Sequence, residues 1–398
     1  MTNLKDLGGK DIVCIGQARE GLSLEKFLTS ANTGIASFKF VDQKDSPNYL
    51  EDLRALDQAK TVIFKSAGVP GRLVPVPYTT PMNLFFSLAK EKNATIVGIT
   101  GTKGKTTTAA LLHHMLADAG KKTVLCGNIG IPALDKLGEI DSDTIVVVEL
   151  GAYHCADLET SPDVAVYTNL ENDHLPYFGS AEAYQAAKKR LLITANQNTK
   201  VIFPKDEVKI ASWVAESGAQ ALLIDTAKTI DLSKTKLIGA HNTHNVLLAA
   251  KAASLFDVSQ GSALASVKSF QPLEHRLEVL GQVGGKTFVD DAIGSTPEAT
   301  LAGIKAVSES VGSIGAILLG GEDRLYDFGQ LVQKLAELNI PNLVLFPDTG
   351  SQIKSQLPSN YSPKLLETRD MNEAVKEQVV KAIPNIGAGA FAKEEAKL

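Results

Sequence analysis

The chain has 398 residues, enough for two or three domains, with 44% hydrophobic and 21% charged residues and a formal net charge of −5. This weakly acidic balance excludes the broad basic face that nucleic acid or an anionic membrane surface requires, so any anionic ligand must be held by local groups. The opening residues, MTNLKDLGGKDIVCIG, lack the apolar segment and cleavage site of a signal peptide, and no apolar run approaches the roughly 20 residues that span a bilayer. A cytoplasmic protein without membrane insertion is expected.

Strand-like apolar runs alternate with helical patterns along the chain, which predicts an α/β fold with mainly parallel sheets in three blocks, 1–92, 93–271 and 272–398. In the first block, DIVCIG, ASFKFVDQ and KTVIFKSAG read as strands, and a helix follows the glycine turn after DIVCIG. Gly16 and Gly21 lack the middle glycine that brings backbone close to a pyrophosphate, so a βαβ domain for a nucleotide other than NAD fits better. In the second block the strand candidates are TIVGIT, KTVLCG, TIVVVEL, DVAVYTNL and KVIF. In the third they are KTFVDDA, GAILLGG and PNLVLFP. Cys14, Cys126 and Cys155 lie in strand-like or glycine-rich sequence without CxxC spacing, and read as small core residues.

The densest chemical signal is IVGITGTKGKTTTAALLHH, residues 96–114. A buried strand entering a glycine turn that opens a helix gathers backbone N–H groups and the positive helix end around one point, which favours phosphate. Lys105 would reach the β/γ-phosphates and Thr106 would offer a hydroxyl to magnesium. The strict phosphate-loop pattern needs glycine at position 99, where Ile99 stands, but Gly101, Gly104, Lys105 and Thr106 remain in the tighter core TGTKGKTT. Downstream, TIVVVEL delivers Glu149 to the carboxyl end of a buried strand, where a carboxylate can hold magnesium. The next strand end supplies Asn169, Asp173 and His174. Alone, His174 reads as an ordinary polar residue; after a phosphate loop and a strand-end glutamate, it reads as a ligand. SAEAYQAAKKRLL is a helix capped by Ser180 and carrying Lys188 and Lys189, of which Lys189 fits a solvated face.

Taken in order, TGTKGKTT, NIG, VEL, TNLENDHL, YQAAK, GAHNTHN, EHRLE and VDDAIGSTP resemble the Mur ligase family, and most closely its members that add D-glutamate. The resemblance runs to about residue 330 and implies an N-terminal Rossmann-like UDP-binding domain, a central P-loop ATPase domain, and a C-terminal Rossmann-like domain that receives the amino acid. It implies an ATP-dependent amide ligase of peptidoglycan precursor synthesis, in which a UDP-linked muramoyl carboxylate becomes an acyl phosphate and is then attacked by the amine of D-glutamate. Carried over by that resemblance, Gly101, Thr102, Lys103, Gly104, Lys105, Thr106 and Thr107 would cradle ATP. Glu149, His174 and Thr106 would ligate magnesium, together with a carbamylated Lys188. Such a modification turns a repelling ammonium into an anionic oxygen ligand. Catalysis would rest on Lys105, His174 and Lys188, with metal ligation favoured over amine deprotonation for His174. Asn242 and Asn245 would face the adenine, Arg276 and Asp291 would contact ATP, and Asn128 would contact the muramoyl substrate. Arg19, Ser66, Thr80 and Asn83 would hold the uridine diphosphate.

The chain departs from the family pattern in places. Gly151, Ala152 and His154 stand where serines and glutamine are usual, Lys103 where asparagine is common, and Ile293 where some relatives carry lysine. Ser295 and Glu298 would form a capping box. The late serine-proline-alanine segment that helps hold the amino-acid carboxylates is missing between residues 379 and 398, leaving Asp323, Arg324 and Asp327 as candidate contacts. Two rival readings follow: a ligase of this or the folylpolyglutamate type with another amino-acid specificity, or a non-catalytic nucleotide-binding relative.

Overall fold

The computed structural model describes residues 3–30, 33–44, 46–294, 296–322 and 326–379. Two compact units emerge: Met1–Thr235 with His241–Phe270, and Lys236–Ala240 with the chain from Gln271 onward.

In the first unit, β1 (Asp11–Ile15), β2 (Ser37–Val41) and β3 (Thr61–Lys65) form a parallel sheet in the order β2-β1-β3, and α1 (Arg19–Ser30) connects the first two. Next comes α2 (Pro81–Glu91). The Thr80 hydroxyl caps it by accepting from Asn83 N at 3.1 Å, and Pro81 sits in the first turn, where no N–H is needed.

A second sheet of six parallel strands holds β4 (Thr95–Thr100), β5 (Thr123–Gly127), β6 (Ile145–Glu149), β7 (Val164–Tyr167), β8 (Lys200–Pro204) and β9 (Gln220–Ile224), in the order β5-β6-β4-β7-β8-β9. Every residue of β6 and β7 is buried, which is why both read as unbroken apolar runs. Between the strands run α3 (Lys105–Asp118), α4 (Ala152–Cys155), α5 (Leu175–Phe178), α6 (Ala181–Lys189) and α7 (Val208–Ser217). α3 packs on α8 (His241–Ala253) and α9 (Gln260–Ser266). Strand order reverses around β4, whose Ile99 and Thr100 stand in register with Glu149 on β6 and Tyr167 on β7. Ligands of open parallel sheets bind at such a reversal, beyond the carboxyl ends of the strands. One hydrophobic core joins the two sheets, with Cys14, Leu24 and Phe64 from the first and Ile96, Val146 and Tyr167 from the second.

The second unit contains a hairpin of β10 (Glu278–Val283) and β11 (Lys286–Asp290), then α10 (Pro297–Ser310), β12 (Ile317–Gly321), α11 (Gly329–Glu337), β13 (Asn342–Asp348), α12 (Thr349–Ser355), β14 (Lys364–Glu367) and α13 (Met371–Val379). β12, β13 and β14 form a parallel sheet over a core that includes Leu319, Phe328, Leu335 and Leu343.

Three expectations need correction. KTFVDDA does hold a strand, but β11 pairs antiparallel with β10 outside the parallel sheet, because Gly284 and Gly285, at φ 56° and 77°, turn the chain straight back. β9 was unforeseen; it is an edge strand with mostly exposed or half-exposed residues, so it carries little apolar signal. At the start of α10 the cap is Thr296, whose hydroxyl accepts from Ala299 N at 3.2 Å, since Pro297 occupies the first helical position. Ser295, the expected cap, lies outside the described residues. The three cysteines are free and buried as expected, and burial pushes the thiols of Cys14 and Cys126 up to about 12.

Candidate active site

β4 delivers the chain to a loop that only glycine can shape. Gly101 has φ 149°, and a Cβ there would lie 1.8 Å from Thr168 Oγ1. Gly104 has φ 79°, and a Cβ there would lie 2.4 Å from Asn245 Oδ1. Between them, Thr102 N and Lys103 N both donate to Asn169 Oδ1 at 2.9 Å, and the Thr168 hydroxyl donates to Lys103 O at 2.5 Å. Lys105 curls back so that Nζ donates to Thr102 O at 2.7 Å. Thr108 N is bonded to Gly104 O, so the N–H groups of the preceding first turn of α3 lie at the loop's mouth. Lys103 is exposed and paired with Glu171 at 3.2 Å. Thr106 and Thr107 are half-buried on the first turn of α3.

Glu149 is fully buried at the end of β6, where Oε1 accepts from Thr106 Oγ1 and from Asn128 Nδ2, each at 3.0 Å. Its Oε2 is buried with no hydrogen-bond partner among the described residues. A buried carboxylate oxygen without a donor is costly unless a cation meets it, so this site fits magnesium. Saturating magnesium at a hundred times its Kd is expected to stabilise the protein by about 2.7 kcal/mol. Glu149→Gln removes that effect while leaving the magnesium-free melting temperature no lower, because it deletes an uncompensated charge. Thermal melts with and without magnesium check this; an equal magnesium shift in both proteins would exclude Glu149 as a ligand.

On α6, Lys188 is 1% exposed, whereas Lys189 is half-exposed and paired with Glu216. Lys188 Nζ donates to Gly101 O at 2.6 Å and to Thr100 Oγ1 at 3.4 Å, and lies 4.9 Å from the Tyr184 ring centroid. Burial, helped by the charge of Lys105, lowers its pKa to about 7. Its amine is therefore neutral in a far larger share of molecules at physiological pH than an exposed lysine's.

His174 is held at φ 52°, a left-handed conformation that is uncommon for a side chain and concentrates at functional sites. Its Nδ1 is joined to Tyr153 OH at 2.8 Å within a cluster of Tyr153, Tyr177, Phe178 and Tyr184. Burial lowers the imidazole pKa, and the charges of Lys105 and Lys188 lower it further against Asp173. The neutral ring is the form that binds metal.

Asn242 and Asn245 are buried on α8; Asn245 donates to Asn242 Oδ1 at 2.9 Å and accepts from Thr108 Oγ1 at 3.3 Å, bracing the loop at Gly104. On the substrate side, Arg19 is exposed at the start of α1, and its Nη1 lies 3.5 Å from where a Gly130 Cβ would sit, so it reaches the turn that carries Asn128. The Ser66 hydroxyl donates to Gly16 O at 3.1 Å. Thr80 is the cap of α2, and Asn83 donates to Asp157 O and Glu159 Oε1 and accepts from Glu159 N, so both serve the packing of α2. In the second unit Asp291 accepts from Leu277 N at 3.2 Å; burial raises its carboxyl, and the nearby Arg276 charge opposes that rise. Asp327 accepts from Gly329 N at the start of α11. Asp323 and Arg324 lie outside the described residues.

Two features escape sequence reasoning. Lys65, fully buried at the end of β3, pairs with Asp157 at 2.8 Å and donates to Val69 O at 2.8 Å. A lysine closing the apolar run TVIFK was the available signal, because such a charge needs a partner. His154 and Glu20 meet at 2.6 Å across 134 residues, with no local signal at all.

Residues 99–235 match the model of the Mur ligase middle domain. The chain is 33% identical over 402 residues to a UDP-N-acetylmuramoyl-L-alanine–L-glutamate ligase from a Micromonospora species, covering 89% of this chain and 85% of that one. It is 27% identical over 383 residues to the UDP-N-acetylmuramoylalanine–D-glutamate ligase of Pelotomaculum thermopropionicum, covering 84% and 82%. Its fold is similar to that of the UDP-N-acetylmuramate-alanine ligase MurC of Thermotoga maritima, with a TM-score of 0.61 at 18% identity over 95% of this chain and 93% of that one. With a phosphate loop, an orphaned strand-end carboxylate and a buried lysine converging in one sheet, and with relatives this similar over most of their length, the chain belongs to the Mur ligase family.

Proposed function

We propose that this protein is the ATP-dependent ligase that adds D-glutamate to UDP-N-acetylmuramoyl-L-alanine in peptidoglycan precursor synthesis. The observation that carries the chemistry is the meeting of Lys188 Nζ with Gly101 O at 2.6 Å, on the same loop whose helix carries Thr106 to Glu149 Oε1 at 3.0 Å. It gathers a phosphate loop, a carboxylate and a neutral lysine at one strand edge.

The substrate carboxylate attacks the γ-phosphorus of ATP, the bond to the β–γ bridging oxygen breaks, and ADP leaves. The amine of the amino acid then attacks the acyl carbonyl, phosphate departs and the amine proton passes to solvent or a base. Two anions must approach in the first step, and Lys105 with the N-terminal turn of α3 offsets their repulsion. Magnesium, when bound by Glu149, His174 and Thr106, supplies further charge neutralisation. Neutral Lys188 can add to carbon dioxide and release a proton, giving a carbamate that turns a cation into an anionic ligand. Because only the neutral amine reacts, this is favoured above about pH 7 and lost below it.

Three domains fit this reading: residues 1–92 for the UDP moiety, 93–271 for ATP, and 272–398 for the amino acid. Arg19 and Ser66 are assigned to the diphosphate end, Asn128 to the muramoyl group, Asn242 and Asn245 to the adenine side, and Arg276 and Asp291 to ATP. No described helix is long and apolar enough to cross a membrane, in keeping with a place in the cytoplasm.

A second reading differs only in stereochemistry, since the Micromonospora relative is named for L-glutamate. ADP release measured with the UDP substrate and each enantiomer separates them. The D-enantiomer is expected to give kcat/KM at least about tenfold higher. Release with L-glutamate alone would reverse the assignment, and release with neither would remove it.

A further inference from the structure

Glu149 ends β6 and His174 follows β7, the two strands that flank β4. The carboxylate is fixed through Oε1 by Thr106 and Asn128, and the imidazole is fixed differently. Its Nδ1 is joined to the hydroxyl of Tyr153 at 2.8 Å, whereas Nε2 lies 3.6 Å from Asp173 Oδ2, too far for a hydrogen bond. One ring nitrogen is thus tethered and the other is left for a ligand, on a side chain that is 41% exposed and open to a dissolved ion.

Tyr153 is itself held from several sides. It stands on α4, four residues past Glu149, so the end of β6 supplies both a carboxylate and the tether of the histidine that follows β7. Its ring stacks on Phe178 with centroids 5.7 Å apart and planes 7° apart, meets Tyr177 edge-on at 4.3 Å, and lies 4.9 Å from the imidazole. Tyr177 is anchored in turn, its hydroxyl donating to Ala67 O at 3.0 Å and Val69 O at 2.9 Å. An aromatic ring alone would satisfy this packing. The hydroxyl adds one thing to it, the bond to His174.

A neutral imidazole that gives the lone pair of Nε2 to a metal keeps its proton on Nδ1, and that N–H needs an acceptor. The Tyr153 oxygen stands where the acceptor must be. We propose that Tyr153 is a positioning residue: its hydroxyl holds His174 by Nδ1 and so turns Nε2 toward the divalent cation. This rests on the assignment of His174 to the metal in the ligase reading above.

Tyr153→Phe keeps the ring and deletes the hydroxyl alone. It is made in the full chain, in the wild-type background and together with His174→Ala. Manganese, as a paramagnetic stand-in for magnesium, is titrated into each protein and its Kd read from the resonance of the free ion; melting curves are taken without metal, and ADP release is measured on the wild type. Tyr153→Phe is expected to weaken metal binding about tenfold while melting within about 2 °C of the wild type. In the His174→Ala background the same change is expected to alter the Kd less than about twofold, because the residue through which it acts has gone. An unchanged Kd in Tyr153→Phe, or an equal loss in both backgrounds, overturns the proposal, and wild-type turnover then leaves the ligase reading standing. A Kd that His174→Ala leaves at the wild-type value removes His174 from the metal and the proposal with it. Wild-type protein that neither binds manganese nor releases ADP removes both the proposal and the ligase reading.

Discussion

Lys188→Met is expected to reduce turnover by about 10³-fold or more while raising the melting temperature. The loss follows from removing the amine that can become an anionic ligand at the phosphate loop, where it meets Gly101 O. The gain follows from burial: Lys188 is 1% exposed and its pKa falls from the ordinary 10.5 to about 7. Such a drop corresponds to a penalty on the order of 5 kcal/mol for keeping the lysine charged in the native state. Between those two values the unfolded chain binds a proton that the native chain does not, so wild-type stability rises with pH across that window. The advantage of methionine is therefore greatest below about pH 7 and shrinks towards pH 10.5. Melting curves at several pH values in carbon dioxide-depleted buffer, set beside ADP release, measure both effects. A variant that melts earlier below pH 7, or that still turns over, would contradict the account of this lysine.

Gly101→Ala is the substitution expected to damage the phosphate loop most. The new methyl group would meet Thr168 Oγ1 at 1.8 Å and Asn169 N at 3.1 Å, on a residue whose φ of 149° other side chains rarely adopt. Thr168 holds Lys103 O, and Asn169 holds the N–H groups of Thr102 and Lys103, so any shift that relieves the clash takes the loop with it. A loss of about 3 kcal/mol or more in stability is expected, and at least about a hundredfold in ATP affinity. Denaturant midpoints and calorimetric ATP titration test this. Adding Thr168→Ala should recover part of the stability, because the two sites share one contact. Wild-type ATP affinity in Gly101→Ala would mean the loop does not hold the nucleotide.

Relationships that span a few residues were legible in the chain. Apolar runs became β1, β3, β4, β6, β7 and β8; Ser180 caps α6 through Ala183 N at 3.1 Å; and TGTKGKTT opens α3 from a left-handed Gly104. Each depends on local geometry: strand burial, a cap within one turn, or a backbone angle only glycine adopts freely. The candidacy of Glu149 was legible for the same reason, since the end of a buried strand is a local feature.

What needed the tertiary structure was the set of partners. Sequence makes Lys188 and Lys189 neighbours of one kind, and only the placement of α6 beside the end of β4, with Tyr184 of the same helix against Lys188, buries the first and leaves the second half-exposed. Thr80 and Asn83 are candidate diphosphate contacts in the sequence, and only the fold shows that the first caps α2 and the second bonds to residues 157 and 159, more than 70 positions away. Lys65 with Asp157, and Glu20 with His154, are pairs of charges joined across the first unit. The physical reason is that periodicity and turn chemistry act over a few residues, whereas the environment of a polar group depends on which distant atoms exclude water from it.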